Sequence, residues 1–108
     1  MATQEEINSI FPTMVSNFRA EKAEGVNATI QFELSGDNGG VYWVTINDGQ
    51  VTHGEGQTNS DMTVKADADA FYDIATGKSN PMQAFMAGKI KVSDMGLGMK
   101  MISMFGLA

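Results

Sequence analysis

The sequence predicts an α+β fold of two layers, a five-stranded, mostly antiparallel sheet covered on one face by helices. Three observations carry this expectation. Apolar residues alternate with polar ones through the middle of the chain, they recur at helical spacing before and after that stretch, and the alternating runs leave one sheet face apolar. An apolar sheet face needs a second layer to bury it.

Thr3-x-x-Glu6 has the pattern of a capping box, and Ile7, Ile10, Phe11, Met14 and Phe18 follow at helical spacing. Pro12 lies inside that pattern and is expected to kink or split the helix, because it removes a backbone donor and crowds the turn before it. Ala28, Ile30, Phe32 and Leu34 alternate with Thr29, Gln31 and Glu33, the pattern of a half-buried strand. After turn chemistry at Gly36 to Gly40, a second strand offers Tyr42, Val44 and Ile46 on one face and Trp43, Thr45 and Asn47 on the other. Asn47-Asp48-Gly49 signals a hairpin into a third strand within Gln50 to Gly56. A fourth, Met62 to Ala66, buries Met62, Val64 and Ala66 and exposes Thr63 and Lys65. These strands read as an antiparallel meander with one wet face.

Helical spacing then returns. Asp67 or Asp69 suits an N-cap, Phe71, Ile74 and Ala75 form the apolar face, and Gly77 suits the stop. Asn80-Pro81 restarts a short helix with proline at its tolerated first position, Ala84 and Phe85 face inward, and Gly88 ends it. The fifth strand points Ile90 and Val92 one way and Lys89 and Lys91 the other. Met95 to Phe105 is a methionine-rich helix weakened by Gly96 and Gly98. No repeat or second domain is visible, so residues 1–108 are expected to form one domain.

Composition narrows the function. The chain has no cysteine, which excludes disulfides, thiolate metal sites and a cysteine nucleophile. The start, MATQEEI, has neither the basic nor the apolar region of a signal peptide, and no apolar run approaches the ~20 residues of a membrane helix, so a cytoplasmic location is expected. A net charge of -6 argues against a nucleic-acid partner. That charge is uneven: residues 78–108 balance to +3 and residues 1–77 to -9. Lysines beside an oily segment leave room for an anion-binding rim and for a transient contact with a membrane surface.

Catalytic constellations are scarce, and no metal or cofactor is expected. His53 is the only histidine and reads as a solvent-facing strand residue. Asp67, Asp69 and Asp73 lack the full calcium-loop pattern and read as helix-capping acids. Gly96-x-Gly98 follows a strand and opens a helix, but Met101 stands where a phosphate loop has its third glycine. Tyr42 or Tyr72 beside an acid is the remaining candidate for proton transfer. A small enzyme or enzyme accessory domain for an apolar substrate is therefore the alternative to a binding domain, and it requires such a pair facing a pocket. A folded interaction module without a ligand is the third class.

The segment GKSNPMQAFMAGKIKVSDMGLGMKM, Gly77 to Met101, resembles the C-terminal half of the sterol carrier protein type-two family. The match runs through Gly77-Lys78, Asn80-Pro81, Ala84-Phe85, Gly88-Lys89-Ile90-Lys91, Met95-Gly96-Leu97 and Met99-Lys100. From Glu21, EKAEGVNATIQFELSGDNGGVYWVTINDG resembles the family's prokaryotic single-domain members. Ser93-Asp94 is shorter than the family's usual loop, and Gly106-Leu107-Ala108 is not a Ser-Lys-Leu-like peroxisomal ending. The resemblance implies an apolar tunnel between the sheet and helices that holds a fatty acid, fatty acyl-CoA, sterol or another lipid without catalysis. With the inward phase of the strands, it makes Ile30, Phe32, Leu34, Tyr42, Val44, Ile46, Phe71, Ile74, Phe85, Met86, Met95, Met99 and Ile102 the expected wall, with Lys100 at the mouth. The oligomeric state stays open. Unbranched, polarizable methionines suit a wall that must adjust to varied ligands. An empty tunnel of ~300 Å³ costs about 7 kcal/mol at about 24 cal/mol per Å³. That rivals a whole domain's stability of about 5–15 kcal/mol, so the unliganded protein is expected to collapse its pocket or retain lipid.

Overall fold

The structure is a computed structural model and describes residues 1–107. Helix α1, Gln4–Ser16, opens with the expected capping box: the Thr3 hydroxyl accepts from the Glu6 N–H at 3.1 Å, and the Glu6 carboxylate accepts from the Thr3 N–H at 2.9 Å. Pro12 does not split the helix. Its ring lies on the exposed side, where the Asn8 carbonyl it leaves without a helical donor can reach water. Ile7, Ile10, Phe11 and Met14 bury the opposite side on both flanks of the proline and hold the helix through it. Phe18, expected on this helix, lies beyond its end and packs on Phe105 with ring centroids 5.5 Å apart. A 3-10 turn at Ala20–Lys22 follows.

The sheet comprises β1 (Ala28–Ser35), β2 (Gly40–Asn47), β3 (Gln50–Glu55), β4 (Met62–Asp67) and β5 (Ile90–Val92), in the order β3-β2-β1-β4-β5. Asp48 and Gly49 both adopt positive φ, 53° and 75°, as a two-residue turn matched to the strand twist demands. Phe32 opposes Tyr42, Ile30 opposes Val44, and Ala28 opposes Ile46, so the apolar phases of β1 and β2 share one face as expected.

The meander expectation fails at β4. This strand pairs with β1, not β3, and runs parallel to it, matching Ile30 with Met62, Phe32 with Val64 and Leu34 with Ala66. The sheet is therefore mixed, its other three pairings antiparallel. The reason lies in β3, which is polar and mostly exposed along its length and serves only as an edge. Residues 56–61 carry the chain across the outer sheet face. The Thr58 N–H donates to Gln31 Oε1 at 2.8 Å, the Asp61 N–H to the Thr29 carbonyl at 2.8 Å, and the Thr29 N–H back to the Asp61 carboxylate at 2.8 Å. Gln31, expected on a wet face, is only 7% exposed beneath this crossing. Its amide also donates to Glu33, so the burial leaves no unmet hydrogen bond.

Helix α2, Ala68–Ala75, is capped by Asp67, whose carboxylate accepts from the N–H groups of Asp69 and Ala70. Together α1 and α2 cover the centre of the sheet. The Phe11 ring sits 5.1 Å from Phe32, 4.6 Å from Tyr42 and 6.3 Å from Phe71, and Phe32 lies 5.3 Å from Phe71. Helix α3, Pro81–Met86, is capped by Asn80, and α4, Met95–Met104, by Asp94. Among the described residues no helix is long and apolar enough to cross a membrane.

Candidate functional site

Helices α3 and α4 and the edge strand β5 meet around an apolar cleft. Pro81, Met82 and Phe85 line it from α3, and Ile90 and Val92 from β5. Met95, Gly98, Met99, Met101 and Ile102 complete it from α4. The cleft is nearly shut, with a volume of about 20 Å³. That is close to the room one water needs, ~10–15 Å³. At about 24 cal/mol per Å³ such a void costs on the order of 0.5 kcal/mol, against about 7 for the tunnel considered above.

Helix α4 is held unevenly. Its C-terminal end is anchored: Met101, Met104 and Phe105 are buried, and the Met104 carbonyl accepts from the Arg19 N–H at 2.8 Å. Its N-terminal half is loosely held. Met95 and Met99 are each 46% exposed, and the first turn depends on Asp94 accepting from the Leu97 N–H at 3.0 Å. Gly98 is the closest approach to the sheet, where a Cβ would meet Val92 Cγ2 at 3.4 Å. Ser93 ties the preceding loop to β4 through hydrogen bonds in both directions with Thr63. Helix α4 is thus buried at its C-terminal end and half exposed at Met95 and Met99.

The expected wall residues divide into two groups. Ile30, Phe32, Leu34, Tyr42, Val44, Ile46, Phe71 and Ile74 are all buried in the continuous core beneath α1 and α2. Phe85, Met95, Met99 and Ile102 come together at the cleft. Met86 is 81% exposed at the end of α3 and is not among the lining residues, because the helix turns it outward one position after Phe85. Lys100 is exposed on α4 beside Met99. Sequence reasoning missed Pro81, Met82, Ile90, Val92, Gly98 and Met101. The inward phase of Ile90 and Val92 was the available signal for two of them.

The alternative, catalytic reading needs a titratable pair facing this cleft. The Tyr–acid pair present is Tyr72 with Glu6, whose groups meet at 3.0 Å between α2 and α1, away from the cleft. The Thr3 N–H, then the Tyr72 hydroxyl, holds the Glu6 carboxyl below its ordinary value. The same hydrogen bond raises Tyr72, since the phenol must stay protonated to donate. Burial pushes Tyr42 up, and the Glu55 charge adds to it. These shifts describe a helix-to-helix tie and a core tyrosine. His53 is exposed on the edge strand β3. Among the described residues no three His, Asp or Glu side chains cluster to hold a metal. A larger hollow of about 680 Å³ opens beside β4, with Lys65, Lys89, Lys91, Asp67 and Asp73 on its walls. Charged side chains share its walls with Ala66, Ala70 and Ala84, whereas the α3–β5–α4 cleft is apolar throughout.

Comparison with known proteins places this geometry. The model of the SCP-2 sterol transfer family matches residues 7–106. The chain belongs to that family. Among curated relatives, Hydroxysteroid dehydrogenase-like protein 2 of Xenopus tropicalis is 32% identical over 103 residues, 93% of this chain and 25% of the relative. The chain thus spans about a quarter or less of the length of such relatives. Among solved structures, a double mutant of the sec-alkyl sulfatase PisA1, an enzyme from Pseudomonas sp., superposes with a TM-score of 0.76 at 25% identity, covering 93% of this chain and 16% of that one. Palmitated SCP2L2 from Aedes aegypti has a TM-score of 0.63 at 20% identity, covering 86% and 91%. The α+β fold with a five-stranded sheet and helices over its inner face is that of sterol carrier protein domains.

Proposed function

We propose that this member of the SCP-2 sterol transfer family is a non-catalytic lipid-binding and lipid-transfer domain that admits an apolar chain between α4 and the α3–β5 wall. The observation that carries the reading is a wholly apolar cleft beneath α4, whose N-terminal half is partly exposed. Family membership and the palmitated relative support it. A fatty acid, fatty acyl-CoA, sterol or similar lipid enters as the N-terminal half of α4 lifts, with Phe85, Met95, Met99 and Ile102 in first contact. The buried strand residues Ile30, Phe32, Leu34, Tyr42, Val44 and Ile46, with Phe71 and Ile74, form the floor that a long ligand reaches as the cleft widens. Lys100, exposed on α4 and next to Met99 in sequence, is the lysine we expect to meet a carboxylate or phosphate.

The energies suit a carrier. Burying ten methylenes yields roughly 8 kcal/mol gross at ~0.8 each. Lifting α4 and fixing the ligand offset part of that, which leaves affinities around the micromolar range. A second reading, an accessory domain that holds substrate for a larger enzyme, is favoured by one observation: the chain matches only a portion of the enzyme-named relatives. The two readings share the same site. The test is native mass spectrometry with lipid extraction, followed by titration with a fluorescent fatty acid. Met99→Asp puts a charge on a half-exposed wall position that the fold tolerates, and it should weaken binding at least tenfold. Equal affinity in wild type and variant would remove the cleft from the site.

A further inference from the structure

The chain has nine methionines and no cysteine, so thioethers are its only sulfur groups. Their places differ. Met14, Met62, Met101 and Met104 are at most 3% exposed. Met1 and Met86 are exposed, at 97% and 81%, and neither lines the cleft. Met95 and Met99 are exposed methionines that do line it, each at 46%. Met82 also lines it but is partly buried.

An oxidant dissolved in water reaches a thioether as far as exposure allows, and sulfoxidation turns a flexible apolar side chain into a polar one. In that step a sulfur lone pair takes one oxygen of hydrogen peroxide and the O–O bond breaks. The sulfur is oxidised by two electrons, and the peroxide leaves reduced as water. At Met95 and Met99 the new oxygen meets two settings. With the cleft closed it turns to solvent, since both side chains are half exposed, and the fold is little disturbed. Against a bound apolar chain it is left unpaired, because no side chain lining the cleft carries a hydrogen-bond donor. Oxidation there opposes binding without opposing folding.

We propose that Met95 and Met99 are reversible oxidation sites, through which a peroxide weakens lipid binding at the cleft and a sulfoxide reductase restores it. The inference rests on the carrier reading, since it concerns the wall of the same site.

The test is brief treatment of the full chain with hydrogen peroxide, peptide mapping by mass spectrometry, and titration with a fluorescent fatty acid. Met95 and Met99 should convert along with Met1 and Met86, while Met14, Met62, Met101 and Met104 stay reduced. Affinity should fall at least about tenfold, the effect of one polar group left unpaired against an apolar ligand. Circular dichroism should show the oxidised protein still folded, and methionine sulfoxide reductases should restore its binding. Met95→Leu combined with Met99→Leu keeps the wall apolar and removes the reactive sulfurs. That variant should bind before treatment and lose less than about twofold after it, although its Met1 and Met86 still oxidise. Full conversion of Met95 and Met99 with unchanged affinity overturns the proposal, as does an equal loss in the double variant or an oxidised protein that has unfolded. Untreated protein that binds no fatty acid would remove the carrier reading and this proposal with it; binding that peroxide leaves intact would remove only the proposal.

Discussion

Replacing Gly98 by alanine separates stability from binding. Gly98 lies inside α4 and lines the cleft, and its added Cβ would meet Val92 Cγ2 at 3.4 Å, an ordinary van der Waals contact. Alanine is favoured over glycine in a helix interior by about 1 kcal/mol, so the closed protein should gain about that much, or ~4 °C in melting temperature. The same methyl group fills space in a cleft of only about 20 Å³ and strengthens the contact that a ligand must break. The helix term persists when α4 lifts as a helix, so the buried methyl alone opposes opening, by roughly 0.8 kcal/mol or about fourfold in affinity. Gly96→Ala is the control: Gly96 is exposed, its Cβ would lie 3.5 Å from the Asp94 carboxylate, and it does not line the cleft. It should stabilise by about 0.5 kcal/mol and leave affinity unchanged. Thermal melts and fatty-acid titrations on the three proteins read both quantities. A more stable Gly98→Ala protein that binds as tightly as wild type would refute entry between α4 and β5.

Pro12→Ala should raise stability by about 1–3 kcal/mol, since it restores a backbone hydrogen bond to Asn8 in a helix that stays continuous; denaturant unfolding that shows no gain would mean the proline already fits without cost. Gln31→Ala should cost about 1–2 kcal/mol and speed amide exchange at Thr58, because the outer-face crossing loses its peg; unchanged exchange would mean that the Thr29–Asp61 bonds suffice. Asp94→Ala should remove about 1 kcal/mol from the loose end of α4, read as faster exchange at Leu97 with no change near Met104. The Glu6–Tyr72 tie sets two pH limits. The lowered Glu6 value supplies stability above its ordinary 4.5 that is lost as pH falls through the folded value, and the raised Tyr72 value supplies stability below 10 that is lost as pH rises through it. Glu6→Gln should therefore flatten the acid limb of a stability–pH curve, and an unchanged limb would assign it to other carboxylates.

Local chemistry made most elements legible. The Thr3–Glu6 box, the Asp48-Gly49 turn, the caps at Asp67 and Asn80, and the shared phase of Phe32 and Val44 were each written in a few neighbouring residues. The β1–β4 pairing was not, because turn residues show where the chain reverses and not which strand it joins. A pointer existed in the contrast between β3, polar apart from Val51, and β4, whose Met62, Val64 and Ala66 demand an interior place. The site was half legible. Period-two and helical spacing identify inward faces, but they do not tell a packed core from a ligand wall. Phe32 and Met99 therefore looked alike in sequence, though one is fully buried and the other half exposed. Met86 was misplaced for a related reason: α3 is short, and one step along it turns a side chain from the cleft to solvent.

The central claim is that lipid enters beneath α4, and the methionines are built-in probes of it. Methyl-¹³C methionine labelling followed by titration with a fatty acid reads each side chain separately. The account predicts large, saturable shifts at Met82, Met95, Met99 and Met101, which line the cleft, and little change at Met14, buried on the inner side of α1, or at exposed Met1. Shifts confined to Met14 and Met62, with the α4 methionines silent, would contradict it.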